Sequence, residues 1–124
     1  MSVLISRQGD YLIASVVSDL SDSQVVALRS ELIDRACALR ARGIILDVGG
    51  LDVIDSFVAQ SLRSIALTMR LRGAETVVVG IRPEVAIAMV QFDLDLVPIH
   101  AALDIDEAFL LLEHRIEGNP EDER

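Results

Sequence analysis

The serine at position 56 combines a reactive group with a well-marked local pattern. Residues 44–48 read Ile-Ile-Leu-Asp-Val, an apolar run typical of a buried strand, and residues 56–72 carry apolar side chains at helical spacing. Ser56 therefore falls at the predicted start of a helix, where the first backbone N–H groups have no partner within the helix. Its hydroxyl has two roles open to it: it caps the helix, or it accepts a covalent modification.

Hydrolytic chemistry at Ser56 would require a general base next to the hydroxyl. The two histidines, His100 and His114, follow the last predicted strand and lie in the last predicted helix, and neither has a sequence relation to Ser56 that indicates a triad. The G-x-S-x-G pattern of a nucleophile elbow is also missing. We therefore interpret His100 as a loop residue and His114 as a solvated helix residue, and we expect a protein without catalytic activity.

Three carboxylates, Asp47, Asp52 and Asp55, lie within nine residues of one another and offer the oxygen ligands that Mg²⁺ prefers. We favour structural roles for them, with Asp52 in a turn and Asp55 capping the helix. All eleven basic residues are arginines, so a P-loop lysine, a Schiff-base lysine and the lysine of a receiver domain are excluded. The sequence therefore predicts neither a metal site nor a cofactor.

Composition limits the possible partners. The 124 residues are 52% hydrophobic and only 3% aromatic, which predicts a single domain with an aliphatic core. The net charge of −9 disfavours binding to nucleic acid or to an anionic membrane. The single cysteine, Cys37, is interpreted as a buried structural thiol. With no apolar run of about 18 residues, we expect a soluble, cytoplasmic protein, folded over residues 1–117 and followed by a polar tail over residues 118–124.

Turn and capping residues divide the chain into predicted elements in the order β-β-α-β-α-β-α-β-α. Gly9 and Asp10 predict the turn of an opening hairpin, and Ser21 with Gln24 predicts a capping box that starts the first helix. Gly43 is expected to end that helix, and later strands are expected at residues 44–48, 76–79 and 96–99. The strand–helix–strand rhythm predicts parallel pairing with right-handed crossovers, so the fold class is α/β with a mixed sheet.

Two leucines of the second helix, Leu67 and Leu71, lie off the apolar stripe that faces the core. They are either scattered surface residues, which are common, or part of a contact patch for a partner. We keep Leu67 and Leu71 as candidates for partner contact.

The residue chemistry permits a phosphorylation switch. A phosphate on Ser56 would add about −1.5 to −2 charges at neutral pH, at a helix start that tolerates an anion. A partner docked over the helix start would face this charge and lose a contact, without any change of fold. The sequence therefore allows an interaction switch at Ser56 in which the chain itself performs no catalysis.

The run over residues 44–57, which ends in Asp55-Ser56-Phe57, resembles the core of STAS domains, the fold of bacterial anti-sigma-factor antagonists. The resemblance covers nearly the whole chain, since the element order also agrees. It implies that Ser56 is phosphorylated by a partner kinase, with Asp55 and Phe57 supporting the phosphosite. Many antagonists read Asp-Ser-Ser-Gly at this point. This sequence has Phe57 in place of the second serine. That difference and the later run over residues 80–86 are similar to the stand-alone STAS subunit of the stressosome, the RsbS type.

This resemblance implies a scaffold that co-assembles with sensor STAS subunits, as a homo- or hetero-oligomer. Such a scaffold sequesters a serine/threonine switch kinase and releases it when the serine is phosphorylated. The alternative is a direct anti-anti-sigma factor that binds an anti-sigma kinase one-to-one and is inactivated at Ser56. The size of the assembly distinguishes the two. A third hypothesis, a small ligand-binding or hydrolytic domain, has little support in a chain with few aromatic residues and no lysine.

Overall fold

The nine predicted elements are present in the predicted order. The computed structural model describes residues 3–117, with side chains described through Arg115. The elements are β1 Val3–Gln8, β2 Tyr11–Val16, α1 Asp22–Leu39, β3 Gly43–Asp47, α2 Ser56–Leu71, β4 Glu75–Val79, α3 Pro83–Gln91, β5 His100–Ala102 and α4 Ile105–Glu117. The polar tail expected over residues 118–124 lies outside the described residues.

The five strands form one mixed sheet in the order β1-β2-β3-β4-β5. The pair β1–β2 is the predicted antiparallel hairpin, and the remaining pairs are parallel. Because β2, β3 and β4 run in the same direction, their carboxyl ends meet at one edge of the sheet and their amino ends at the other. This separates the loop that carries Ser56 from the turns that precede β3 and β4.

Helices cover both faces of the sheet. Buried residues of α1, α2 and α3 pack against one face in a core that includes Leu32, Ile65 and Met89. On the other face α4 packs Ala108 and Leu112 against Ile45 and Val77 among others. The alternation of side chains along β2, β3 and β4 supplies both cores, as expected for strands buried on two sides.

The first helix starts as predicted and ends earlier. Gln24 N–H donates to Ser21 Oγ at 3.3 Å and Ser21 N–H donates to Gln24 Oε1 at 2.8 Å, which completes the capping box. The helix stops at Leu39, and Arg40 takes the left-handed conformation at φ 52°. The expectation that Gly43 is the helix cap is wrong. Gly43 is the first residue of β3, where an added Cβ would lie 3.0 Å from the methyl carbons of Leu112.

The last strand begins four residues later than predicted. Residues 96–99 form a turn closed by Ile99 N–H donating to Leu96 O at 2.7 Å, and the strand is His100–Ala102. A proline at position 98 has no N–H for a strand ladder, so pairing with β4 begins only after it. The interpretation of His100 as a loop residue is therefore wrong: it opens β5, and its Nε2 lies 3.1 Å from Glu75 Oε2.

None of the helices within residues 3–117 has both the length and the apolar character needed to cross a bilayer.

Candidate functional site

Ser56 follows an ordered loop, residues 48–55, that runs from the carboxyl end of β3 to α2. Val48 N–H donates to Val79 O at 3.0 Å, and Leu51 N–H donates to Val48 O at 3.0 Å, so the loop opens with a tight turn attached to β4. The side chains of Leu51 and Ile54 are buried in the main core. The loop is therefore fixed by its own apolar residues as well as by hydrogen bonds.

Gly50 brings the loop into direct contact with the end of β2. Its N–H donates to Val16 O at 3.1 Å. A Cβ at this position would lie 2.3 Å from Val16 O and 2.3 Å from the carbonyl carbon of Val17, far inside van der Waals contact. Only glycine allows the two backbones to approach this closely.

Arg82, at the start of α3, holds the other side of the loop. Its Nη2 donates to Leu51 O at 2.8 Å and also pairs with the carboxylate of Asp52. Asp52 N–H donates to Asp19 Oδ1 at 2.9 Å. The hydrogen bond and the charge of Arg82 hold the pKa of the Asp52 carboxyl below its usual value. Asp52 is therefore more than a turn residue: it joins the loop to α3.

Sequence reasoning missed Arg82. It sits inside the run over residues 80–86 that carries part of the family resemblance, and it directly precedes Pro83 at the start of a helix. A cation just before a helix start is poorly placed for the helix dipole, which is a signal that its partner lies elsewhere in the chain. That partner is the loop before Ser56.

Asp55 and Ser56 form the start of α2. Asp55 Oδ1 accepts a hydrogen bond from Val58 N–H at 2.9 Å, so Asp55 is the N-cap and Ser56 the first helical residue. Ser56 is exposed, and within residues 3–117 no hydrogen bond occupies its hydroxyl. Phe57 is half-buried beside it. The capping is thus done by Asp55, which leaves the Ser56 hydroxyl available to solvent and to a partner.

A groove of about 450 Å³ opens beside Ser56, between the start of α2 and α3. Its walls are largely apolar, and the side chains of Val53 and Phe92 are 63% and 74% exposed there. Asp52, Asp55 and Glu84 contribute carboxylates to its lining, together with Ser56, and the single guanidinium of Arg82 pairs with Asp52 and lies 3.8 Å from Glu84 Oε1. The hydroxyl therefore lies where an apolar surface meets an acidic one.

Leu67 and Leu71 are both exposed, at 48% and 90%. On an α-helix they lie roughly 20° and 60° around the axis from Ser56, and roughly 16 Å and 22 Å along it. They share its side of α2 but not its end. A partner would have to extend along the helix to contact both Ser56 and Leu67.

The remaining chemistry-bearing residues do not converge on Ser56. Asp47 Oδ1 accepts from Gly49 N–H at 3.0 Å, and no group of three potential metal ligands occurs in the described part of the chain. His100 lies at the amino end of the parallel strands, since it pairs with Glu75. Cys37 is half-buried on α1, which corrects the expectation of a buried thiol.

Comparison with known proteins agrees with this geometry. The model of the STAS domain family matches residues 2–108. The RsbT co-antagonist protein RsbRD of Bacillus subtilis is 28% identical over 83 residues, which are 67% of this chain. The chain spans only 30% of the length of RsbRD.

Two solved structures superpose over nearly the whole chain. A serine-to-glutamate variant of RsbS from Moorella thermoacetica has a TM-score of 0.77 at 28% identity, covering 91% of this chain and 96% of its own. A chain from the molecular architecture of the stressosome, a signal integration and transduction hub, has a TM-score of 0.70 at 27% identity, covering 89% and 96%. The element order, the loop before α2 and the family match lead to one conclusion: the chain belongs to the STAS domain family.

Proposed function

We propose that this chain is a non-catalytic scaffold subunit of a bacterial stress-signalling complex, controlled by phosphorylation of Ser56. In this function it assembles with sensor STAS subunits, holds a serine/threonine switch kinase, and releases the kinase once Ser56 is phosphorylated. The observation that carries the proposal is the exposed Ser56 hydroxyl, left without a hydrogen bond within residues 3–117 on a helix that Asp55 already caps. Similarity to RsbRD, RsbS and a stressosome chain supports the class of complex.

Phosphorylation at this position is compatible with the folded domain. The first N–H groups of α2 point toward the helix start and favour an anion. The loop before Ser56 is held by Gly50, Leu51 and Arg82, none of which contacts the hydroxyl. The phosphate would therefore change the surface and leave the core intact.

A phosphate on Ser56 would affect a partner that binds in the groove beside it. A kinase seated over Val53 and Phe92 would bury their exposed side chains, which favours binding. A phosphate on Ser56 would add about −1.5 to −2 charges to a lining that already holds Asp52, Asp55 and Glu84. If the desolvation and repulsion cost about 2.7 kcal/mol, the affinity falls about a hundredfold. Phe57 and Asp55 keep the helix start in place, and Leu67 and Leu71 extend the contact along α2.

Phosphate mapping is the direct test of the site. The chain is incubated with its serine/threonine kinase and ATP, and the modified residue is identified by mass spectrometry. Label on Ser56 supports the proposal. The label should be lost in Ser56→Ala, and an unchanged thermal unfolding curve of that variant shows that the loss does not come from unfolding. Label on Ser21 or Ser23, in the capping box of α1, would contradict the proposal.

Kinase capture is tested with a matched pair of variants. Ser56→Ala should retain the kinase in a pull-down, whereas Ser56→Asp should lower its affinity, though by less than a phosphate because its charge is smaller. Val53→Ala should weaken capture through lost apolar contact, and Leu4→Ala, exposed on β1, serves as the control. Equal capture by Ser56→Ala and Ser56→Asp would argue against electrostatic release.

The alternative function is a direct anti-anti-sigma factor that binds an anti-sigma kinase one-to-one. It uses the same phosphosite and differs in assembly. Sedimentation of the chain mixed with a sensor STAS subunit separates the two functions. Very large mixed particles support the scaffold, and complexes of only two or a few chains support the direct antagonist.

A further inference from the structure

Two Arg-x-Arg-Gly turns meet at the end of the sheet opposite Ser56. The first, residues 40–43, leads into β3, and the second, residues 70–73, leads into β4. Because β3 and β4 are adjacent and parallel, with Gly43 paired to Glu75, the two turns lie side by side. Glu75 N–H donates to Arg42 O at 3.2 Å, which joins one turn directly to the strand after the other.

The two turns enclose a concave site of about 320 Å³. Three arginines line it: Arg40, Arg42 and Arg72. The rest of the lining is made of small or apolar residues, among them Cys37 and Met69. The site therefore combines three positive charges with small and apolar side chains.

These three guanidinium groups have no carboxylate partner among the side chains of residues 3–115. Other arginines do find one: Arg35 pairs with Glu31 at 3.2 Å, and Arg82 pairs with Asp52. In a chain with a net charge of −9, carboxylates are plentiful. A concavity with three unneutralised cations is therefore a distinct feature of this surface.

Hydrogen bonding to the last helix carbonyls does not account for the cluster. Arginines near a helix C-terminus can hydrogen-bond its last carbonyls. Here backbone N–H groups already serve two of these carbonyls: Ala41 N–H donates to Ala36 O at 2.9 Å, and Ala74 N–H donates to Met69 O at 2.9 Å. The described contacts show no guanidinium of the cluster engaged with a carbonyl. Its N–H donors are therefore available to a ligand.

We propose that Arg40, Arg42 and Arg72 form a binding site for a small oligo-anion that carries two or more phosphate or carboxylate groups. The guanidinium group presents a planar fork of N–H donors that matches both kinds of anion in bidentate geometry. Three such groups exceed what one anionic group can satisfy. The volume is at the lower end of the range for small-molecule sites, which suits a ligand the size of pyrophosphate or citrate. The site lies at the opposite edge of the sheet from Ser56 and does not depend on the proposed phosphorylation.

Calorimetric titration of the full chain with pyrophosphate and with citrate, at low salt, tests the proposal. Saturable binding at one site per chain is expected for at least one of them. Binding of pyrophosphate alone identifies a phosphate ligand, and binding of citrate alone a polycarboxylate. Each of Arg40→Gln, Arg42→Gln and Arg72→Gln should weaken binding about tenfold. Arg35→Gln, which removes an arginine paired elsewhere on α1, should leave it unchanged.

Cys37 offers a second readout, because it lines the site and is the only cysteine of the chain. The bound anion should slow its alkylation by iodoacetamide, an uncharged reagent. The three arginines are exposed, so the three single variants should unfold at the temperature of the parent. No saturable binding of either anion, or binding unaffected by the arginine variants, would overturn the proposal.

Discussion

Replacing Gly50 with alanine is expected to dislodge the loop that presents Ser56. The added Cβ would lie 2.3 Å from Val16 O and 2.3 Å from the carbonyl carbon of Val17. Both are backbone atoms, so relief requires the loop to move and the 3.1 Å hydrogen bond from Gly50 N–H to Val16 O to break. Overpacking costs about 1–3 kcal/mol and the lost hydrogen bond about 1 kcal/mol. The total of about 2–4 kcal/mol corresponds to a decrease in Tm of about 10 °C for a domain of this size.

Gly49→Ala is the matched control, one residue earlier in the same loop. Its Cβ would meet Asp47 Oδ1 at 3.2 Å, and that carboxylate can shift slightly to accommodate it. We expect its Tm to fall by about 2 °C or less. Thermal unfolding followed by far-UV circular dichroism measures both variants, and limited proteolysis reports whether residues 48–55 have become accessible. If Gly50→Ala unfolds within about 2 °C of the parent, or if both variants fall equally, the close approach to β2 does not hold the loop.

Three further predictions concern the rest of the domain. Asp55→Ala removes the N-cap of α2 and should lower the free energy of unfolding in urea by about 1 kcal/mol, whereas Asp55→Asn should keep most of it; equal losses would mean that the carboxylate does not act as a cap. Arg82 depresses the pKa of Asp52, so their interaction stabilises the fold fully above the ordinary value of 3.8 and is lost as the pH falls further. Asp52→Asn should flatten the decrease in Tm below that pH, and an unchanged profile would refute the coupling. Leu112→Ala removes a side chain on the inner face of α4 that is 0% exposed, and it should cost about 2–5 kcal/mol. Leu110→Ala, at a side chain 69% exposed, should change stability by less than about 0.5 kcal/mol, and similar losses in the two would contradict the packing of α4.

The element order was predictable because each element carries its own local signal. The Ser21–Gln24 capping box, the aliphatic run of β3 and the proline at the start of α3 act over a few residues. Where tertiary contacts determine the structure of a segment, the local sequence pattern gave a wrong prediction. Gly43 resembles a helix cap, yet it is glycine because Leu112, nearly seventy positions later, packs against it. The strand expected over residues 96–99 is apolar enough, but Pro98 delays the pairing to His100.

The loop before Ser56 was predictable only in part, for the same reason. Asp55 and Ser56 are adjacent, so their cap and first-turn positions follow from a short stretch of sequence. Arg82 and Asp19 contact this loop from about thirty positions away in either direction. No periodicity or spacing relates them to Ser56. The groove also escaped prediction, because Val53 and Phe92 belong to segments that meet only in the folded chain.

The two candidate sites have a common origin in the topology of the sheet. The segment from β3 through α2 to β4 is a parallel crossover, so the chain must pass from the carboxyl end of β3 to the amino end of β4. The helix that makes this passage begins at Ser56 and ends beside Arg72. Its positive dipole end therefore lies at the acidic groove and its negative end at the arginine cluster. An anion on Ser56 is stabilised by the dipole of the same helix, whereas a ligand at the arginines must be bound by the guanidinium groups alone. Removing the arginines should thus abolish binding at one end of the sheet and leave phosphorylation at the other unchanged.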